Sequence, residues 1–229
     1  DVDALLACSE DGQTVEEIIR EVFLAVRENI KVRRFERYEG VLSTYVHAGG
    51  KIGVMVKFDT DAAVAETDAF KEMAKDVAMQ IAAMNPVAID QNDVPQSVID
   101  SEIEIAKEKT VQEQIQKAVE VALKKAGINP NLVDSEDHMS SNITKGWLTE
   151  EEANKAREIK ASVAEEKKNN IPAAMVENIA KGRLNKFFKE STLMNQEFVK
   201  DSKLTIAQYM ESAQKGLKVT AFKRFGLSN

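Results

Sequence analysis

Two neighbouring stretches with different hydrophobic periods constrain the fold of this chain most. Side chains alternate between two sets along residues 41–47 and 52–58, as on the two faces of a β-sheet, and Ala48-Gly49-Gly50 supplies a turn between them. Apolar residues then recur at steps of three and four along residues 68–84, at Phe70, Met73, Ala74, Val77, Ile81 and Met84. Asn85-Pro86 ends this second stretch, because proline disfavours helical geometry in the residue before it. We therefore predict an antiparallel hairpin followed by a helix.

Helix-capping patterns predict further helices on both sides of this region. Thr14 and Glu17 have the spacing of a capping box at the start of a helix over residues 14–29. Residues 98–126 allow either one continuous helix or two helices with a bend near Lys109-Thr110, where a second start signal occurs. The remaining helices are predicted to start at Thr149 with Glu152, to cover residues 173–189, and to run from a cap at Ser202 to Gly216.

The segment Lys31–Tyr38 is dense in arginine and also contains β-branched and aromatic residues, which favours an exposed edge strand. Its cations alternate with Phe35 and Tyr38, a pattern that can bind single-stranded nucleic acid through charge and stacking. The same pattern fits an edge strand protected by charge, or a strand that is salt-bridged to the acidic helix before it. The sequence leaves these interpretations open.

Together these elements predict an α+β fold: a small antiparallel sheet with helices packed on one face and a protruding helical hairpin insertion. Leu217–Phe225 is the last predicted strand. The polar run between Gly127 and Gly146, which contains His138, is the region that we expect to be least ordered. It lies between helices that form the predicted arm.

Composition narrows the class of partner. The net charge of −7 and the pI of about 5.1 make nucleic acid a poor default partner, because proteins that mainly neutralise phosphates are usually basic. No run approaches the length of a membrane span. The single cysteine, Cys8, precludes an internal disulfide and fits a reducing compartment. Because the chain begins at Asp1 rather than methionine, we expect a fragment of a longer protein or a processed one.

No set of residues forms a catalytic or metal-binding motif. The two histidines, His47 and His138, lack cysteine or glutamate at ligand spacing, and Cys8 has no histidine partner in its sequence context. Residues 47–51 do not have the form of a phosphate-binding loop. We therefore expect no enzymatic activity, no catalytic residues, no cofactor and no bound metal.

Several stretches, taken in order, resemble the family of bacterial translation elongation factor Ts. They are ENIKVRR at 28–34, YVHAGGKIGVMV at 45–56, MQIAAMNP at 79–86, KGRLNKFFKE at 181–190, QEFVKD at 196–201 and VTAFKRF at 219–225. Each stretch alone is weak evidence, whereas their order and spacing make the resemblance specific.

The resemblance implies a division of the chain. Residues 1–40 correspond to the tail of a first core subdomain, with a helix and a strand. Residues 41–105 and 170–229 correspond to a second core subdomain, and residues 106–169 to a helical arm insertion. The family's N-terminal module and its TDFV motif are absent from the 229 residues.

The resemblance also implies a function: guanine nucleotide exchange on elongation factor Tu during translation elongation, in the cytoplasm. Val26, Arg27 and His47 match family positions at the contact with the G domain of elongation factor Tu. Phe198 and Val199 match a surface segment that docks on its third domain. Val26 and Phe198 could equally belong to the core. Elongation factor Tu is thus the expected partner, with no membrane and no direct nucleic-acid contact, while homo-oligomerisation through the arm is possible.

Two other functions compete with nucleotide exchange. One is an RNA-binding translation module that uses the basic strand 31–37 together with Lys181–Lys189. The other is an enzyme, which would need a set of converging catalytic groups that the sequence does not show.

Overall fold

The computed structural model describes residues 1–227, apart from the side chain of Glu10. Residues 228–229, the end of the predicted second subdomain, lie outside the described residues. The helices are α1 (Val2–Ala7), α2 (Val15–Val26), α3 (Ala62–Ala65), α4 (Asp68–Met84), α5 (Gln96–Lys125), α6 (Glu136–Thr144), α7 (Glu150–Asn170), α8 (Ala173–Ser191) and α9 (Ile206–Ala213). The strands are β1 (Ser9–Glu10), β2 (Gln13–Thr14), β3 (Val41–His47), β4 (Ile52–Asp59), β5 (Glu197–Phe198), β6 (Asp201–Thr205) and β7 (Lys218–Gly226). Short 3₁₀ helices cover Gln91–Asp93, Pro130–Leu132 and Leu193–Asn195.

These elements confirm the predicted α+β class. The chain divides into two compact units, the first made of residues 1–82 and 213–227 and the second of residues 83–212. The division into 1–40, 41–105 with 170–229, and 106–169 rests on the family resemblance and stays a prediction.

A three-stranded antiparallel sheet in the order β3-β4-β7 lies in the first unit. The predicted hairpin pairs residues 41–47 with residues 52–58, and β7 pairs with the other side of β4. Val54, Val56 and Phe58 of β4 are buried on one face. On that face, Phe58 packs edge-on against Phe70 of α4, with 5.3 Å between the ring centroids. The predicted helix over 68–84 is therefore confirmed, and it lies on the buried face of the sheet.

The strand predicted over residues 31–38 is wrong, because residues 29–39 have no regular secondary structure. This segment lies against β7 and is attached through side chains. The guanidinium carbon of Arg34 is 4.6 Å from the centroid of the Phe225 ring, and the Tyr38 hydroxyl donates to a main-chain carbonyl of β7. The arginine and aromatic residues that predicted a strand are used for these contacts instead of a main-chain ladder.

In the second unit, α5 is one continuous helix of 30 residues, about 45 Å long at 1.5 Å per residue. Its first half packs against α8 and its second half against α7. The alternative of two helices is wrong, because Thr110 is buried inside α5 and its hydroxyl donates to the Ala106 carbonyl at 2.7 Å. Leu123 near the end of α5 shares a cluster with Ala153 near the start of α7, so these two helices form an antiparallel hairpin.

The region between Gly127 and Gly146, expected to be least ordered, is folded. Ser135 caps α6, and His138 lies on that helix rather than in a loop. The hydrogen bond with His138 lowers the pKa of the Asp134 carboxyl. This region contributes to a buried cluster at one end of the α5–α7 hairpin, made of Leu123, Ile128, Val133, Met139, Leu148, Ala153 and Ala156. Apolar residues spaced through this polar sequence pack into the cluster, and the polar residues between them cap and bond the helix.

The helix predicted to start at Ser202 begins later, and its cap was predicted at the wrong residue. Ser202 lies in β6, and α9 starts at Ile206. Thr205 is the cap: its hydroxyl accepts from the Gln208 N–H at 3.2 Å, and its own N–H donates to the Gln208 side chain at 2.9 Å. The strand predicted over 217–225 is confirmed as β7.

Replacing Leu123 by alanine is expected to lower the free energy of unfolding of the second unit by about 2–5 kcal/mol, because its side chain is only 1% exposed. Val121 on the same helix is 52% exposed, so Val121→Ala should change that free energy by less than about 0.5 kcal/mol. Urea unfolding followed by fluorescence of Trp147, the one tryptophan, measures both variants. Equal effects would contradict the assignment of this cluster as a core.

Candidate partner-binding surfaces

Helix α2 starts at a capping box that the sequence predicted. The Glu17 N–H donates to the Thr14 hydroxyl at 3.2 Å, and the Thr14 N–H donates to the Glu17 carboxylate at 2.8 Å. The hydrogen bond from the Thr14 main chain has the largest effect on the pKa of the Glu17 carboxyl. Together with the bond to the Thr14 side chain, it holds this pKa below its usual value. The two capping-box hydrogen bonds satisfy two N–H groups that a helix start otherwise leaves free, and so fix where α2 begins.

The side chains of α2 are all at least partly accessible, in contrast to those of α4. Ile18, Val22, Phe23 and Val26 lie on one side of the helix, and all four are exposed. These four residues are called the α2 surface below. Val26, a predicted contact, is 53% exposed in the last turn. Adjacent exposed apolar side chains of this size are typical of a surface that binds another protein.

Arg27, the next predicted contact, ends α2 in a left-handed conformation with φ of 59° and ψ of 27°. Its N–H donates to the Phe23 carbonyl at 2.7 Å. Left-handed geometry costs a residue with a β-carbon about 1–2 kcal/mol, and glycine is the usual residue at such a helix end. An arginine at this position suggests that its side chain has a use outside the fold.

An apolar hollow of about 470 Å³ lies beside α2, between α1, α2 and residues 29–32. Ile19 and Phe23 line it from α2, and Val2 and Leu6 line it from α1. A hollow of this kind is suited to an apolar side chain of a partner, because buried apolar anchors carry much of the energy of protein interfaces. The sequence showed the apolar stripe on α2 but not that the stripe borders an open hollow.

His47, the third predicted contact in the first unit, is exposed at the tip of the β3–β4 hairpin. Its Nδ1 lies 3.0 Å from the Tyr45 hydroxyl, which orients the ring. The turn that follows needs positive φ at Ala48, Gly49 and Gly50, and the two glycines adopt it without a steric cost. The hairpin therefore presents an imidazole to solvent on a well-defined support.

The structure separates the two predicted contacts in the second unit. Phe198 is 4% exposed, and its ring stacks on Tyr209 with 4.2 Å between centroids, so of the two positions left open by the sequence it has the one in the core and not the one on the surface. Val199 is 47% exposed in the turn between β5 and β6. The physical reason is the tight hairpin, which directs Phe198 towards α9 and leaves Val199 at the tip.

A network of buried polar groups fixes the segment that connects α8 to this hairpin. The Thr192 hydroxyl donates to the Phe188 carbonyl at 2.7 Å, and the Gln196 side chain donates to the Glu190 carbonyl at 2.9 Å. The main-chain N–H of Leu193 donates to the Ala88 carbonyl at 3.0 Å. Buried polar groups that are fully bonded make a segment rigid. The segment after KGRLNKFFKE is thus a support for Val199 rather than a surface over its whole length.

Three of the basic residues that favoured RNA binding have partners within the chain. Arg34 lies on a phenylalanine ring, Arg37 pairs with Glu39 at 2.6 Å, and Arg183 pairs with Glu113 at 2.6 Å. The hydrogen bond from Arg183 also lowers the pKa of the Glu113 carboxyl. Cations that already have partners neutralise fewer phosphates, so the structure gives no support to the RNA-binding alternative.

Two exposed residues were not selected from the sequence. Leu24 is 65% exposed on the polar side of α2, and Trp147 is 64% exposed with the Lys145 ammonium 5.0 Å from its ring centroid. Leu24 lies outside the three-four spacing of the apolar residues on α2, so the sequence could have identified it as exposed. The periodicity of the sequence gives no such indication for Trp147.

Within residues 1–227, no three His, Cys, Asp or Glu side chains are grouped to hold a metal ion. No described helix is long and apolar enough to cross a membrane.

Comparison with known proteins shows which family the chain resembles. The model of the family described as elongation factor Ts matches residues 1–121 and 110–229. The elongation factor Ts of Phocaeicola vulgatus is 47% identical over 216 residues, which are 93% of this chain and 63% of that protein. The elongation factor Ts of Parabacteroides distasonis is 57% identical over 157 residues, or 69% of this chain and 48% of that protein. That of Amoebophilus asiaticus is 36% identical over 215 residues, or 93% and 56%. The chain therefore spans between 48% and 63% of the length of these relatives.

Replacing Phe198 by alanine is expected to lower the free energy of unfolding by about 3–5 kcal/mol, because the change leaves a cavity beside Tyr209. Its neighbour Val199 serves as the control, since Val199→Ala removes an exposed side chain and should cost less than about 0.5 kcal/mol. Chemical unfolding of both variants, followed by circular dichroism, makes the comparison. A destabilisation by Val199→Ala as large as that by Phe198→Ala would contradict this placement.

Proposed function

The chain belongs to the elongation factor Ts family, and from this membership we propose that it binds elongation factor Tu and promotes the release of GDP during translation elongation. The observation that carries the proposal is the α2 surface, an apolar helix face left open to a partner and bordered by Arg27. No covalent bond is made or broken in this function, and it takes place in the cytoplasm.

The proposed mechanism is a difference in affinity between two states of the partner. An exchange factor binds the nucleotide-free form more tightly than the GDP-bound form, and by linkage it weakens GDP binding by the same factor. Burial of apolar surface favours association, and the exposed apolar residues of α2 offer such surface to a partner. In the proposal this binding energy offsets the loss of the contacts that elongation factor Tu makes with Mg²⁺ and with the phosphates of GDP.

Each surface has a proposed role. Val26, Arg27 and His47 contact the G domain of elongation factor Tu, with the apolar Val26 buried and the two polar residues at its edge. Val199 contacts the third domain, and Phe198 supports it from the interior. The exposure of Val26, His47 and Val199 and the fixed hairpin supports under the latter two are consistent with these roles.

Calorimetric titration of the 229-residue chain into elongation factor Tu, once free of nucleotide and once loaded with GDP, tests the proposal. We expect saturable binding in both cases, with a higher affinity for the nucleotide-free form. The chain should also accelerate release of a fluorescent GDP analogue. Equal affinity for the two forms would overturn the exchange mechanism, and no binding to either would overturn the proposed partner for this chain.

His47→Ala is expected to weaken binding to nucleotide-free elongation factor Tu about tenfold, because an exposed imidazole oriented by Tyr45 is lost from the contact. His138→Ala is the matched control, since His138 is also exposed but lies on α6 in the second unit. Titration calorimetry measures both affinities, and thermal unfolding confirms that both variants fold. If His47→Ala bound with wild-type affinity, His47 would be excluded from the contact with elongation factor Tu.

The Arg27→Gly variant distinguishes the contribution of the Arg27 side chain to binding from that of its left-handed backbone to folding. Glycine adopts a φ of 59° without strain, so the variant should be as stable as the wild type or slightly more stable. Its affinity for elongation factor Tu should nevertheless fall about tenfold, because the guanidinium is gone. Arg27→Lys keeps the charge and the β-carbon and should lose less. Unchanged affinity of the glycine variant would remove Arg27 from the interface.

A further inference from the structure

The two outer strands of the β3-β4-β7 sheet have different surroundings. Glu36, from the segment before β3, pairs with the ammonium of Lys223 on β7 at 2.6 Å, and the Tyr38 hydroxyl donates to the Phe222 carbonyl at 3.3 Å. On the other side of the sheet, β3 pairs with β4 alone among the residues that the structure describes. The chain thus lies against β7 but leaves the edge of β3 open.

This open edge lacks the features with which proteins usually guard an exposed strand. The residues of β3, VLSTYVH, include no lysine, arginine or proline, and the pairing with β4 has no bulge. In an antiparallel pair every second residue directs its N–H and C=O away from the partner strand. Within residues 1–227 those outward groups of β3 have no hydrogen-bond partner. They form a row of donors and acceptors whose natural complement is another extended main chain.

A groove of about 570 Å³ runs beside the first half of β3. Residues 40–44 line one side, Ala62 and Ala65 of α3 line another, and the buried Phe70 and Ala74 of α4 complete it. Alanine side chains leave room that larger residues would fill. A strand edge that faces a helix across such a groove is the geometry in which proteins bind an extended peptide as an added strand.

We propose that the edge of β3 and the adjoining groove bind an extended peptide segment of another protein, which adds to the sheet as a fourth strand and carries a carboxylate next to Lys75. The peptide's main chain pairs with β3, and its alternate side chains enter the groove beside Ala62 and Ala65. This site uses the start of β3, whereas the proposed exchange contacts use α2 and the tip of the hairpin at His47. It is therefore a further function and does not depend on nucleotide exchange.

The charges along the groove select the carboxylate. Lys71 is already paired with Glu66 at 2.8 Å, and this hydrogen bond raises the pKa of the lysine and lowers that of the glutamate. Lys75 also lines the groove and has no ion-pair partner within the described part of the chain. An acidic side chain in the ligand would supply the missing partner.

A second copy of the chain is a poorer occupant of this edge. If β3 paired with β3 of another molecule, the incoming strand would bring the side chains of VLSTYVH, none of which is acidic. Lys75 would then remain unpaired, and each copy would bring its own lysine-lined groove. The charge of the groove therefore favours an acidic peptide.

The first test uses random octapeptides displayed on phage and selected against the whole 229-residue chain. The best peptide is synthesised with blocked ends and titrated while amide hydrogen exchange is followed by NMR. We expect acidic peptides to be selected and alternate amides of residues 41–47 to become protected. Failure to select any peptide, or protection elsewhere in the chain, would overturn the proposal.

Peptide N-methylation tests the pairing itself. Methyl groups on the alternate residues that face β3 remove hydrogen-bond donors and should weaken binding about tenfold, whereas methyl groups on the other residues should leave it nearly unchanged. Equal effects of the two methylation patterns would show that the peptide binds without joining the sheet, and would also overturn the proposal.

Ala62→Trp should abolish peptide binding, because the indole fills the groove, while Ala63→Trp on the same short helix places the same side chain outside the groove lining. Lys75→Glu should weaken an acidic peptide about tenfold. Thermal unfolding checks that the variants fold. Equal binding by the two tryptophan variants would contradict the site, and a concentration-dependent dimer lost only in Ala62→Trp would assign the edge to a second copy instead.

Discussion

The packing of β4 against α4 is the interaction on which the arrangement of the first unit depends. Val54, Val56 and Phe58 alternate with residues on the opposite face, so the central strand can bury one face only, and α4 covers it. With β4 fixed, β3 and β7 become the outer strands, and the tip of the hairpin carries His47. The candidate contact at the tip and the open edge of β3 both follow from the position of one buried strand.

The α2 surface and the hairpin tips represent two ways of offering a side chain to a partner. On α2 a short helix keeps its apolar residues in water, where binding can bury them and release energy. At His47 and Val199 a tight turn on a well-bonded support holds one residue outward, which lowers the entropy lost on binding. The open edge of β3 adds a third, main-chain mode of binding that does not depend on either.

Most of the fold was predictable because its signals are local. The alternation in the hairpin, the three-four spacing of α4 and the capping boxes at Thr14 and Thr149 each act within a few residues, and the structure has all four where they were predicted. The misplaced elements have two physical causes. The strand predicted over 31–38 and the disorder expected around His138 were wrong because contacts with residues distant in sequence, on β7 and on α5 and α7, decide those segments. The cap predicted at Ser202 was wrong for a local reason: Ser202 lies in β6, which pairs with β5, and Thr205 caps α9 instead.

The same division applies to the candidate surfaces. The family resemblance, a helix that carries Val26 and Arg27, and the hairpin that presents His47 could all be predicted, because motifs and periodicity are properties of neighbouring residues. The predicted helix extended to residue 29, whereas α2 ends at Val26. Which side chains are accessible depends on packing between distant parts of the chain and became known from the structure alone. Phe198 and Val199 are adjacent and equally apolar in sequence, yet the stacking of Phe198 on Tyr209 buries one and leaves the other in solvent. The tertiary structure likewise left β3 open beside its groove, because exposure depends on what the rest of the chain covers.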